Sequence, residues 1–244
     1  MNARRVAAAL TMGVLVHGLF ACAVGSMAFA LATGMQHGMG TFEGMAAVAA
    51  NALLVLQFPI LHSFLLSKPG RKVLAHLSPV GHGRKLSPTT YVVLGSLQLL
   101  AVFWGWSPSG TVWSDPVGTA SVLRHALFGA AWLFLVKALW DAGLGLQSGA
   151  AGWWALLRDK PVDYGTMPVH GLFARCRQPI YLGFALVLWT APTLTPDWLG
   201  LTVPWTAYCV LGPLLKEARW EAMFGARFRD YRRVVPYFLP RTFR

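Results

Sequence analysis

Long apolar runs, with the cations confined to short clusters between them, are the feature that most constrains this chain. Apolar stretches long enough to cross a hydrocarbon core, about 20 helical residues, run near Val6–Ala32, Met45–Leu66, Thr89–Trp106 and Val122–Leu146, the last with Arg124 and Lys137 inside it. Two more apolar runs follow a long polar connection, Ile180–Thr193 and Trp198–Leu215, separated by Leu194-Thr195-Pro196-Asp197. The first of these is too short to cross alone without tilt or thinning, so the two are expected as a tight helical hairpin. The expected fold is all-α: a polytopic transmembrane helical bundle of about six spans, closed by an interfacial amphipathic helix. Two regions are expected, a four-span part over 1–146 and a cofactor-binding part over 147–244.

Composition excludes the alternatives. Only 12% of the 244 residues are charged, against 55% hydrophobic, with mean hydropathy +0.50; a soluble domain carries about twice that charged share. The net charge of +12 does not point to nucleic acid, because the cations border apolar runs as they do beside an anionic inner leaflet. Cys22, Cys176 and Cys209 have no metal-ligand spacing, so neither a disulfide framework nor a metal site is expected. Arg4 and Arg5 before an apolar run imitate a secretory signal. That run is too long for one and reads as a retained first span.

The cations also set an orientation. Arg4 and Arg5 precede the first run; Lys68, Arg71, Lys72, Arg84 and Lys85 follow the second; Arg158, Lys160, Arg175 and Arg177 follow the fourth. The remaining ones lie mostly in the tail from Lys216 onward, and the connections at 33–43 and 107–120 carry none. With six crossings the basic groups alternate, which puts both termini in the cytoplasm and the helices in contact with membrane lipids. Lys137 stands four residues before Asp141, at the spacing of a helical ion pair.

Polar residues then gather toward the cytoplasmic ends. The connection Pro168 through Gly183 holds Gly171, Arg175, Arg177, Gln178, Pro179 and Tyr181. Its prolines and glycines break helix, and irregular backbone at membrane depth persists only where protein buries it or a cavity adjoins it. In the tail, Trp220, Phe224, Phe228 and Tyr231 recur at helical spacing, predicting an amphipathic surface helix. Glu217 is the exception: it closes an apolar run, and a carboxylate at that depth needs a partner or a ligand.

These residues carry a resemblance. Arg177-Gln178-Pro179-Ile180-Tyr181-Leu182-Gly183, Lys216-Glu217, Phe224-Gly225 through Tyr231, and Val235-Pro236 through Pro240 are similar, in order and spacing, to the signature of the isoprenylcysteine carboxyl methyltransferase superfamily. That signature reads Arg-His-Pro-x-Tyr-x-Gly, Glu-Glu, Phe-Gly-x-x-Tyr-x-x-Tyr and Val-Pro-x-x-x-Pro. Upstream, Leu56-Gln57 through His62-Ser63, Thr90-Tyr91-Val92 and Trp140-Asp141 through Gln147 resemble the bacterial branch with the methanethiol S-methyltransferases and NnrU-like proteins. Two positions depart: Gln178 stands for the histidine and Lys216 for the first glutamate. A glutamine donates and accepts hydrogen bonds but cannot titrate, so acid/base work at position 178 is excluded.

The resemblance implies an S-adenosylmethionine-dependent enzyme of a bacterial cytoplasmic membrane acting on a small or lipophilic acceptor, a thiol being favoured. Arg175 or Arg177 would take the methionine carboxylate, Glu217 the ribose or amino group, and Tyr181 the adenine, with Gln178, Pro179 and Tyr231 in the same motifs. Gly171 and Gly183 would let the backbone approach the ligand. A thiol acceptor must lose a proton, for which His62 and Asp141 are candidates; the alternative for both is a buried hydrogen bond tying two segments together. Two other readings stay open: an NADPH-dependent reductase of the sterol C14-reductase type, which shares the ending Val235-Pro236-Tyr237, and a non-catalytic NnrU-like protein.

Overall fold

The computed structural model describes residues 3–239. It contains ten α-helices: α1 (Ala3–Ala32), α2 (Gly44–Leu65), α3 (Lys68–Leu77), α4 (Gly83–Gly105), α5 (Gly118–Asp141), α6 (Leu144–Gln147), α7 (Ala150–Arg158), α8 (Pro179–Trp189), α9 (Pro196–Phe224) and α10 (Ala226–Val234), with a 3₁₀ turn at Gly171–Ala174. Among the described residues there is no strand, only an isolated bridge between Ser114 and Leu194. Among the described residues five helices, α1, α2, α4, α5 and α9, are long and apolar enough to cross a membrane. The chain is an integral membrane protein with the helical-bundle architecture expected of it. Helix α8 has 11 residues, about 16 Å at 1.5 Å per residue, and is the run flagged as too short.

The chain divides into two compact units. The first comprises Met1–Ala30, Met35–Gly110 and Leu144–Gly165. Its core joins Ala9, Met12 and Val16 of α1 to Leu86, Val92 and Val93 of α4 and Leu156 of α7. Several polar side chains within this apolar setting hydrogen-bond to one another or to backbone across helices, as is common between membrane helices. The Asn51 amide donates to the Ser107 carbonyl and accepts its N–H, both at 2.9 Å. Gln98 Nε2 donates to Gln57 Oε1 at 3.1 Å. Thr89 Oγ1 donates to the Gly149 carbonyl at 2.7 Å and accepts from Trp153 N at 3.0 Å, fastening α7 to α4. At the end of α7, Asp159 pairs with Lys85 and Arg5. The Lys85 hydrogen bond and the two nearby cations hold the Asp159 carboxyl below the usual carboxylate range.

The second unit comprises Leu31–Gly34, Thr111–Gly143 and Thr166–Arg244. Helix α8 lies against α5, and the closest approach is at Gly183, where an added Cβ would stand 3.0 Å from the Leu135 Cα. The hairpin between α8 and α9 is built from its turn. Thr195 caps α9 by accepting from Trp198 N at 2.9 Å, and its hydroxyl donates to the Gly34 carbonyl. Such a cap contributes about 1 kcal/mol. Trp198 Nε1 donates to the Leu188 carbonyl and Trp189 Nε1 to Thr206, so indole N–H groups tie the two arms together.

The tail refines the expectation. Helix α9 does not stop at Leu215 but continues two turns through Lys216 and Glu217 to Phe224. It ends at Gly225, whose φ of 53° lies in the left-handed region that favours glycine. The stripe Trp220, Phe224, Phe228 and Tyr231 is therefore shared by two helices, with α10 burying Phe228 and exposing its arginines.

Candidate functional site

The second unit brings the signature residues together at the entry to α8. Pro179 opens that helix, where its missing N–H costs nothing, and Gln178 precedes it as the residue flanking the helix. The closing motif docks on the same stretch. Arg177 N donates to the Pro236 carbonyl at 2.9 Å and Gln178 N to the Tyr237 carbonyl at 3.2 Å. The Arg177 side chain reinforces this dock with Nη1 bonds to the carbonyls of Arg232 and Val235. Pro240, the last residue of the motif, lies outside the described residues.

Helix α9 delivers the charges. Arg177 Nε donates to Glu217 Oε1 at 2.9 Å, and the two side chains are only 11% and 9% exposed. Gln178, with no exposed surface, donates from Nε2 to the same oxygen at 2.7 Å. Both bonds fall on Oε1, which leaves Oε2 to a further donor. The Gln178 amide oxygen accepts from Lys216 Nζ at 2.8 Å. The cluster thus runs Arg177, Glu217, Gln178, Lys216 as one chain of hydrogen bonds, and its amide orientation is dictated by an acceptor on one side and a donor on the other.

Aromatic rings close around the lysine. Its ammonium lies 4.4 Å from the Trp220 ring centroid, 5.5 Å from Phe173 and 5.8 Å from Tyr181, all within cation–π range. Tyr181 also meets Tyr208 edge-on at 6.3 Å. Tyr231 donates to the Phe173 carbonyl at 2.7 Å, fixing the 3₁₀ turn against α10, and burial pushes its phenol above the usual range. Burial likewise pushes the Cys176 thiol up, and Tyr237 is raised to about 12 by burial and by the Glu217 charge.

Other expected residues fall into supporting places. The Asp141 carboxylate at the end of α5 accepts from Leu172 N at 2.8 Å and pairs with Lys137. Gly171, at φ +60°, presses its Cα on that carboxylate, so a Cβ there would overlap Asp141. The space freed by Gly171 is filled by Asp141, as the space at Gly183 is filled by Leu135. Arg175 is exposed after the 3₁₀ turn. His62 belongs to the first unit, where its imidazole meets the Tyr91 hydroxyl and stacks on Phe58 at 4.8 Å, linking α2 to α4. A cleft lined by Ala151, Trp154, Arg158 and Asp163 also lies in that unit and contains none of the expected site residues. Among the described residues no group of three His, Cys, Asp or Glu side chains could hold a metal.

Sequence reasoning missed the ring of Phe173, Tyr181 and Trp220 around Lys216. Trp220 was within reach, since it stands four residues beyond Lys216 on one helix face. Phe173 gave no signal, because its approach depends on the 3₁₀ turn held by Asp141 and Tyr231.

A helical membrane protein whose hairpin and tail bury a guanidinium–carboxylate–amide–ammonium chain is the class that fold and site define. No family model matches the chain, and no solved structure matches it. Among curated relatives, methanethiol S-methyltransferase 2 of Bradyrhizobium diazoefficiens is 32% identical over 205 residues, which cover 81% of this chain and 74% of that protein. Methanethiol S-methyltransferase of Pseudomonas deceptionensis is 29% identical over 80% of this chain and 73% of its own. Nurim of Xenopus laevis is 28% identical over 65% of this chain and 57% of its own. The chain belongs to the methanethiol S-methyltransferase family, which is isoprenylcysteine carboxyl methyltransferase-like.

Proposed function

We propose that this chain is a membrane methyltransferase that moves the methyl group of S-adenosylmethionine to a small thiol, with methanethiol as the first acceptor to test. The family relation carries the reading, since relatives across about four fifths of the chain are named for methyl transfer to that thiol. It disfavours the reductase alternative. The residues of the second unit fit the methyl donor: a buried carboxylate with one oxygen available, an aromatic face at Tyr181, and cations nearby.

When bound, S-adenosylmethionine supplies a methyl group activated by its sulfonium. Glu217 would receive a ribose hydroxyl or the amino group on Oε2, while Arg177 and Gln178 hold its other oxygen. Arg175, Pro179, Gly171, Gly183 and Tyr231 belong to the same proposed region: Arg175 as a carboxylate partner, Tyr231 and Pro179 as its frame, and the glycines as the close packing that shapes it. Arg177, committed to Glu217 and to two tail carbonyls, acts here as the residue that positions Glu217. Alignment of thiol sulfur, methyl carbon and sulfonium in a dry site accounts for such catalysis without a covalent enzyme intermediate. The cation pattern supports a site open to the cytoplasm with both termini on that side, and the bacterial relatives support a bacterial inner membrane. Asp141, in the same unit, remains a candidate proton acceptor, although its hydrogen bond ties α5 to the 3₁₀ turn.

The test is incubation of the purified chain with methyl-labelled S-adenosylmethionine and methanethiol, followed by detection of labelled dimethyl sulfide. Labelled product above a protein-free control supports the reading. Protein that neither transfers the label nor binds the donor would refute it and favour a non-catalytic role.

A further inference from the structure

The cluster around Lys216 carries more positive charge than it neutralises. Arg177 and Gln178 already occupy the Glu217 oxygen that faces them. Among the described residues the Lys216 ammonium hydrogen-bonds only a neutral amide oxygen, that of Gln178. Its other sides face Phe173, Tyr181 and Trp220. The titratable and charged groups around it are Cys176 and Arg177 before α8, Tyr181 on α8, Glu217 and Arg219 on α9, and Tyr231 on α10. With Glu217 the sole carboxylate among them, three cations outnumber one anion. Half-buried positive charge of this kind is balanced by a bound anion or is costly to keep. The Cys176 thiol does not supply that anion, since burial keeps it protonated.

We propose that Lys216 is the acceptor-binding residue, holding the substrate sulfur as a thiolate against its ammonium while the Phe173 and Trp220 rings enclose the apolar part of the thiol and Tyr181 is left to the adenine of the donor. This rests on the thiol methyltransferase reading above. A small alkyl thiolate suits the ring-lined cage, because soft sulfur packs favourably against aromatic edges. On binding, the thiol proton is released to water. The thiolate then forms a carbon–sulfur bond to the methyl group, and the pair of electrons from the broken bond returns to the donor sulfur. Both products are uncharged at sulfur, so the thioether loses its attraction to Lys216 and leaves. The lysine that replaces the family's first glutamate thereby acquires a role the family pattern does not assign it.

A cation at this range lowers an acid's pKa by about 1–3, so Lys216 governs how much thiolate is bound near neutral pH. The experiment uses the full chain in detergent with methanethiol alone, by titration calorimetry in two buffers of different ionisation enthalpy, which counts protons released per thiol bound. Because a shift of that size brings an alkyl thiol from about 10 to about 7–9, wild type should release a measurable fraction of a proton per thiol bound at pH 8. Lys216→Met should release none or bind at least tenfold more weakly, and Lys216→Arg should retain release. Thiophenol, largely ionised already, should bind with little proton release in all three. In the transfer assay, the midpoint of the kcat/KM profile should move up by at least about one pH unit in Lys216→Met, with activity recovering at high pH. Binding without proton release in wild type, or an unshifted profile in a Lys216→Met protein of normal melting temperature, would overturn the proposal. So would a loss of S-adenosylmethionine affinity with thiol binding unchanged, which would make the donor carboxylate the anion held. Thiolate binding that depends on Lys216, without any methyl transfer, would instead sink the enzyme reading and leave this inference standing.

Discussion

Gln178 and Lys216 depart from the family pattern together, and the 2.8 Å hydrogen bond between them makes them one exchange. A histidine and a glutamate at these positions would let an imidazolium donate to two carboxylates. Here an amide donates to Glu217 and accepts from Lys216. Lys216→Glu alone removes one charge-assisted bond, about 1.5–3 kcal/mol, and sets a second carboxylate beside Glu217. Gln178→His alone keeps one donor and one acceptor on a neutral ring, so it should cost about 0.5–1.5 kcal/mol and leave transfer within about tenfold. Independent sites would make the double variant worse by the sum. The geometry predicts instead that Gln178→His/Lys216→Glu is more stable than Lys216→Glu, with a coupling of about 1–3 kcal/mol. Unfolding midpoints of the four proteins in one detergent, at matched concentration, measure it. The double variant should also gain a pH dependence. Its histidine, between carboxylates, has a raised folded pKa, so its stabilisation is full below about pH 6.5 and is lost as pH rises through the folded value. The wild type, with no titrating group at position 178, has no such step from this residue. Additivity within about 0.5 kcal/mol would refute the reasoning.

Glu217→Ala should weaken S-adenosylmethionine binding at least tenfold by calorimetric titration, from the loss of a charge-assisted contact of about 1.5–3 kcal/mol; unchanged affinity removes Glu217 from the donor site. Arg177→Ala leaves Glu217 partly unpaired and frees the carbonyls of Arg232 and Val235, so it should lower stability by about 3–5 kcal/mol and expose the tail to proteolysis, whereas a protease-resistant tail would contradict the dock. Gly171→Ala adds a Cβ at φ +60° against the Asp141 carboxylate and should cost about 1–3 kcal/mol, seen as a lower melting temperature; an unchanged one would mean the turn relaxes freely. Asp159→Asn keeps a residue tolerant of φ 54° but loses the pairs with Lys85 and Arg5. Because the folded carboxyl is depressed, its contribution is present above the unfolded value of about 3.9 and lost as pH falls through the lower folded value, so wild type and variant should differ at pH 7 in low salt and converge in strong acid. A difference that persists in acid would argue against ion pairing.

The membrane-spanning helices were legible in the sequence because span length and apolarity are local and one-dimensional properties. Apolar runs of the required length mark α1, α2, α4, α5 and α9 wherever their neighbours sit, and the shortness of α8 was equally plain. Motif order likewise picked out Arg177, Gln178, Glu217 and Tyr231 as residues of one region. Tertiary structure decided what each does there. Arg177 meets Glu217 across 40 residues and the Val235 carbonyl across 58, so its commitment to the tail, and the Phe173–Tyr181–Trp220 cage around Lys216, follow from packing that no window of sequence contains. The same holds for Gly171 and Gly183: their lack of a side chain was visible, but whether a ligand or the protein fills that space depends on where α5 lies, and α5 brings Asp141 to one and Leu135 to the other.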